Sequence, residues 1–290
     1  METLELPLPA TASASPTPHA CLNCGTALHD QFCARCGQPA ATHRITTAHL
    51  LHEIPHSIWH VDKGILFTLR ELVLRPGAAL RAYLGGQRRP YFAPLSYLLL
   101  AVGVATFLMA ALHIVPFDLH DPRVSARTRE LQLHAFGPVL RYMSWYQVVA
   151  LPLLALPTRL VLRRGGFNYA ECIVINAFVI GTASIINMAF IPLMYVLSGT
   201  AGIVRLTSVT MLVMVAYQTR AYAQLLRPTG LGAAGRYLRG LLTSGLNFIV
   251  LLLFIALIMI GLLLPTLRQQ MRPAQPQAAA QTATTTRPQP

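Results

Sequence analysis

The chain has 290 residues, of which 54% are hydrophobic and only 11% charged, and its mean hydropathy is +0.50. A soluble domain carries about 25% charged residues, so the composition excludes an ordinary soluble globular protein. The net charge of +13 and isoelectric point of about 10.2 admit nucleic acid or an anionic membrane surface as a partner. The basic residues punctuate apolar stretches rather than forming one run, which disfavours nucleic acid and favours the membrane.

Residues 1–19 are rich in Pro, Ala, Ser and Thr and read as a disordered leader. Glu2, Glu5 and four prolines leave no apolar core for a secretory signal. The head that follows is therefore expected in a reducing compartment, where clustered cysteines bind metal more often than they form disulfides.

Residues 20–40 hold two Cys-x-x-Cys-Gly knuckles, Cys21–Cys24–Gly25 and Cys33–Cys36–Gly37, with Gly25 to Phe32 between the two cysteine pairs. The spacing puts two thiolates on each tight turn, and the glycine permits the left-handed backbone that such a turn needs. Four sulfurs suit a structural Zn²⁺ and leave no open position for catalysis. The gap is shorter than the usual ribbon spacing, so the module is expected to be a miniature zinc-ribbon-like hairpin, unfolded without its ion. A redox or disulfide pair is the lesser alternative.

Residues 41–92 read as an amphipathic juxtamembrane region. His49, His52, His56 and His60 are spaced to share one helix face. Pro55 interrupts that helix and few carboxylates lie nearby, so an interfacial helix is the better reading than a second metal site. Ile65, Leu66, Leu69, Leu72 and Val73 define an apolar face, and Arg75-Pro76-Gly77 stops the helix. A short segment, Ala78 to Leu84, leads to a Gly85-Gly86 hinge and to Tyr91 and Phe92. Arg75, Arg81, Arg88 and Arg89 are the candidate lipid or phosphate contacts, since basic residues beside aromatics mark the headgroup layer and each is worth about 1 kcal/mol near anionic lipid.

The two knuckles, followed by His60-x-Asp62-Lys63-Gly64, Thr68-Leu69-x-x-Leu72, Arg75-Pro76-Gly77, Tyr83-Leu84-x-Gly86-x-Arg88 and Tyr91-x-x-Pro94-x-x-Tyr97, resemble the bacterial domain-of-unknown-function family 3667. The resemblance is closest over residues 20–115. It implies a zinc-ribbon head on a multi-span inner-membrane protein and implies no known activity. It also implies that His60, Asp62, Gly64, Pro76, Gly77 and Arg88 are motif positions.

Beyond Phe92 the chain reads as a transmembrane helical domain over residues 93–265. Runs of about 20 apolar residues span a bilayer core. Leu95–Val115, Met143–Leu162, Cys172–Leu197, Ile203–Tyr222 and Leu241–Leu264 are the expected spans, with bends at Pro152, Pro157 and Pro192. The span over 203–222 is the weakest, because Arg205 and several Thr, Ser and Gln residues dilute it. The fold class expected is an all-α polytopic membrane protein of about five helices with a small N-terminal knuckle. The positive-inside rule places the basic N-terminal segment, Arg163, Arg164 and Arg227 in the cytoplasm of a bacterial inner membrane. Residues 266–290 read as a disordered tail.

Polar residues in the spans, namely Glu171, Asn176, Asn187 and Asn247, are read as interhelical hydrogen-bonding groups ahead of a transport path. The function expected is non-enzymatic: the zinc knuckle recruits a protein partner and the basic collar sits on anionic lipid. The alternatives are an enzyme acting on a lipid or phosphate-bearing substrate, with His60 and Asp62 as catalytic candidates and Arg88 as phosphate ligand, and a small transporter. A homo-oligomer is compatible with the composition.

Overall fold

The computed structural model describes residues 20–47 and 64–270. The histidines at 49, 52, 56 and 60, together with Asp62, the leader and the residues after 270, lie outside them. Among the described residues the chain is helical, with only two isolated antiparallel bridges, both in the cysteine head.

Among the described residues, eight α-helices follow the head: α1 (Gly64–Leu74), α2 (Pro76–Leu84), α3 (Pro94–Ala111), α4 (Ala126–Val161), α5 (Tyr169–Met188), α6 (Ile191–Val196), α7 (Ala201–Leu225) and α8 (Ala233–Gln270). Their starts follow from local chemistry. Pro76 and Pro94 occupy the first turns of α2 and α3, where the missing N–H costs nothing. Ser125 accepts from the Thr128 amide at the start of α4. Asn168 and Glu171 form a reciprocal capping box on α5. Arg75-Pro76-Gly77 does end α1, but one residue later the same proline opens α2.

Among the described residues, four helices are long and apolar enough to cross a membrane: α3, α5, α7 and the Ala233–Gly261 part of α8. At 1.5 Å per residue even the 18-residue α3 reaches about 27 Å. The stretch expected at Met143–Leu162 is the C-terminal part of the 36-residue α4, of which Trp145–Val161 is the apolar portion. The stretch expected at Cys172–Leu197 divides into α5 and α6, and the break falls just before Pro192. The diluted stretch at 203–222 lies inside the 25-residue α7.

The connections sort to two ends. At one end the 112–125 and 197–200 loops are tied together by Leu119 N–H to Gly199 O (3.0 Å), Gly199 N–H to Val115 O (3.2 Å) and Val115 N–H to the Ser198 hydroxyl (2.8 Å). At the other end, the turns at 163–165 and 227–229 contact each other, and the cysteine head sits there.

The bundle is apolar on its outside as well as in its core, and it also buries polar side chains. Leu212, Leu253, Leu257 and Phe107 face outward, whereas Asn176, Thr182, Thr158 and Thr243 are fully buried. Outward leucines with buried amides and hydroxyls are what a hydrocarbon solvent selects, because lipid satisfies Leu and leaves polar groups to find partners inside. The short α1 obeys the same rule. Its buried residues are Thr68, Glu71 and Leu72, while Leu66 is 74% exposed and Phe67 and Leu74 also point away. Of the apolar stripe read from spacing, Leu72 is buried and Ile65, Leu69 and Val73 are half-buried, while Leu66 turns outward.

The largest core lies at the head-bearing end. Leu72, Leu80, Tyr83, Phe92, Leu162, Phe178, Tyr222 and Leu226 are packed together there. A run of ring contacts crosses it from Phe67 to Tyr91, Tyr83, Phe178 and Tyr97, with centroids 5.0–5.9 Å apart. Gly77 lets α2 close on the end of α7: a Cβ there would lie 2.4 Å from the Gln224 backbone carbon.

Candidate metal centre and its seat on the helices

The two knuckles fold alike. Gly25 N–H bonds to Cys21 O and Gly37 N–H to Cys33 O, both at 2.8 Å. Gly25 and Gly37 have φ of 74° and 70°, the left-handed conformation expected from the Cys-x-x-Cys-Gly pattern. Cys21 N–H and Cys33 N–H close the turns onto Thr26 O and Gln38 O.

These turns bring the four sulfurs within 4.8 Å of one another. The cross-knuckle pairs Cys21–Cys36 and Cys24–Cys33 are 3.6 and 3.5 Å apart. Tetrahedral metal–sulfur bonds of about 2.3 Å put sulfurs about 3.8 Å apart, so this donor set fits a metal ion. A disulfide needs about 2.05 Å, and all five cysteines are free. Without an ion the thiols are unequal. Thr26, whose hydroxyl is 3.3 Å from the Cys24 sulfur, brings that thiol down to about 6 through its side chain and backbone. The backbone amide of Cys36 favours the Cys33 thiolate, but burial and the neighbouring thiols outweigh it and raise the group to about 11.

The head is seated on the loop between α2 and α3. Gln38, 2% exposed, donates to Gly86 O (2.9 Å) and accepts from the backbone amides of Arg88 (3.1 Å) and Arg89 (3.2 Å). Leu22 of the first knuckle fills the space where Gly86, at φ 105°, would carry a Cβ. Further along, Arg44 grips Glu171 of α5 through both carboxylate oxygens (2.6 and 2.8 Å) and donates to Gly166 O (2.6 Å). The carboxylate favours the charged guanidinium and raises its pKa. The Asn168 amide donates to Ile45 O at 2.9 Å, and Ile45 is buried in the core.

The four arginines read as lipid or phosphate contacts all have protein partners. Arg75 pairs with Glu71 one turn away, 2.7 Å to each oxygen. Arg81 donates to the Gln224 carbonyl at the end of α7; burial, with Arg227 nearby, lowers its pKa. Arg88 donates to His43 O (2.6 Å) and lies over the Tyr83 ring, and Arg89 donates to Cys36 O (3.2 Å). Arg220 and Arg239 do the same at other helix ends, reaching Val73 and Leu74 carbonyls of α1 and the Val161 carbonyl of α4. Cations suit helix C-termini because the last carbonyls lack partners and carry the negative end of the dipole.

A second polar centre lies within the bundle. Thr158 of α4, Asn176 of α5, Tyr222 of α7 and Asn247 of α8 meet there. Tyr222 donates to Asn176 Oδ1 (3.0 Å), Thr158 to the same oxygen (3.1 Å), and Asn247 Nδ2 to the Thr158 hydroxyl (3.1 Å). Asn176 and Asn247 are the span residues singled out by sequence. Asn187, on nearly the same face of α5, is only half-buried and no bond links it to this group. Thr158 and Tyr222 carried no signal, since a threonine or tyrosine in an apolar run has no spacing to betray it.

The fold and the four-cysteine cluster together define a polytopic α-helical membrane protein with an N-terminal knuckle whose four sulfurs fit a metal ion. Residues 62–106, covering α1, α2 and most of α3, match the model of a family described as a protein of unknown function, DUF3667. No curated protein and no solved structure matches the chain.

Proposed function

We propose that this is a non-enzymatic protein of the bacterial inner membrane, its N-terminus cytoplasmic, whose Zn²⁺-stapled head recruits a protein partner. The observation that carries the reading is the closed four-sulfur site seated at one end of the bundle. Four thiolates complete a tetrahedral zinc and leave no position for a substrate or water. The same end carries Arg163, Arg164 and Arg227, all exposed, and the positive-inside rule makes that end cytoplasmic. These arginines, with the outward Leu66, Phe67 and Leu74 of α1, form a collar suited to anionic lipid. On the head, Phe32 is 59% exposed beside exposed His29, Asp30 and Arg35, an aromatic in a polar rim of the kind that anchors partners. The enzymatic alternative gains nothing from Arg88, whose guanidinium holds His43 O.

Purified full-length protein should contain one zinc per chain, lost in C33S/C36S. Crosslinking in intact membranes should capture a defined protein partner with the wild type and lose it with F32A, which keeps its zinc. A partner set unaffected by both variants would remove the basis for recruitment by the head.

A further inference from the structure

We infer that metal occupancy of the head is coupled through Gln38 to the loop that leads into the first membrane helix, so that the ion latches the Gly86–Arg89 segment. The inference rests on the reading that the four thiols hold zinc. Gln38 belongs to both structures at once. Its backbone carbonyl closes the second knuckle by accepting from Cys33 N–H (2.9 Å). Its side chain is buried and pairs with three backbone groups of the loop, Gly86 O and the amides of Arg88 and Arg89. Arg89 Nε returns the contact by donating to Cys36 O, the carbonyl of a metal ligand. Leu22, from the first knuckle, packs on the same Gly86. Both halves of the metal site are thus seated on one short loop, five residues from the Pro94 that opens α3.

The physical consequence has a required sign. A knuckle this small does not hold its turns without the ion. When the Cys33–Gly37 turn opens, Gln38 loses its backbone anchor, and the three loop groups it pairs with lose their partner. Leaving these part-buried amides and the buried Gly86 carbonyl unpaired is unfavourable, so the loop must move to rehydrate them. Coupling is reciprocal: a loop that holds Gln38 in place pre-orders the second knuckle and tightens metal binding. A zinc ribbon that merely stapled itself would show neither effect.

The test uses full-length protein in nanodiscs, loaded with Zn²⁺ or stripped by a chelator, with amide hydrogen exchange followed by peptide. On stripping, the amides of Arg88 and Arg89 should lose protection together with the knuckle, while a peptide from the middle of α5 stays protected. Chelator competition should show zinc affinity about tenfold weaker in Q38A, the equivalent of one net hydrogen bond. Q38E, which keeps the acceptor for the two amides, should lose less, and Q31A, at an exposed position of the same head, should match wild type. Loop protection that survives stripping, or zinc affinity in Q38A within twofold of wild type, overturns the latch. Metal content unchanged in C33S/C36S would instead sink the zinc reading beneath it.

Discussion

The cysteine head and the helical bundle each gather polar groups at a centre and turn apolar residues outward, and they differ in what holds those groups together, although Asn176 Nδ2 in the bundle has no partner. In the bundle, Thr158, Asn176, Tyr222 and Asn247 bond to one another across four helices. In the head, four sulfurs converge, and thiols are weak hydrogen-bonding groups that need an ion to hold them together. The outward residues also meet different solvents. Leu212 and Leu257 suit hydrocarbon, whereas Phe32 faces the polar side of the head. The bundle therefore carries its own cohesion, and the head borrows its cohesion from a metal and from the loop it sits on.

Metal removal is the strongest way to break that comparison. In zinc-finger peptides the bound ion contributes about 10–16 kcal/mol, far more than any single contact in the bundle. Stripping the ion should open residues 20–40 to protease while the helical circular dichroism barely changes. Helices that melt along with the head would show that the bundle is not self-sufficient.

Next in size is Gly77→Leu. Even the first carbon of a side chain meets the Gln224 backbone at 2.4 Å, and no flexible side chain is there to yield. Overpacking of this kind costs about 1–3 kcal/mol, and here it prises α2 from α7. Thermal unfolding in detergent should show a drop well beyond that of Ala78→Leu, whose position is exposed.

How far the sequence reaches differs between the two regions for a physical reason. The head is legible because metal ligation fixes spacing: Cys21, Cys24, Cys33 and Cys36, with a glycine after each pair, dictate two turns and a four-sulfur cluster. The helices are legible as apolar runs. What the runs conceal is direction. In α1, the apolar face read from periodicity is largely the packed one, but with lipid as solvent its edges shift, and Leu66 points out while Thr68 and Glu71 point in. The arginines carry a contact that spacing does not show. Their charge marks the headgroup level, yet Arg81, Arg220 and Arg239 reach carbonyls at the ends of neighbouring helices, contacts that only the assembled bundle creates. Gln38 and Thr158 were invisible because their partners lie tens of residues away and neither belongs to a repeating pattern.

A smaller effect probes whether the bundle's centre is as self-contained as it looks. Asn247→Leu removes the amide that reaches Thr158 and leaves a shape the core can accept. Interhelical hydrogen bonds in membranes average well under 1 kcal/mol and reach about 1.7 kcal/mol, so the loss should be about 1–1.5 kcal/mol in a detergent or mixed-micelle unfolding titration. Thr158→Val should cost a similar amount. The double variant should cost less than the sum, because the two side chains share one network. Strict additivity would mean that the group is a coincidence of packing rather than a network.

The smallest effect sits where the two regions join. Arg44 holds Glu171 with two short bonds; the Glu171 side chain is only 5% exposed, but that of Arg44 is 60% exposed, and a pair whose cation stands in water contributes about 1 kcal/mol. Arg44→Gln should therefore leave the unfolding of the bundle nearly unchanged. It should instead raise hydrogen exchange at residues 44–46, which the pair and the Asn168–Ile45 bond together hold against α5. High salt should mimic the substitution in the wild type and do little in the variant, since screening weakens an exposed pair. Glu171→Gln sharpens the reading: it keeps an oxygen for the Asn168 amide in the capping box yet removes the charge. If it behaves as Arg44→Gln does, the head is joined to the bundle here by charge, and if it behaves as wild type, the join rests on the neutral Asn168–Ile45 bond.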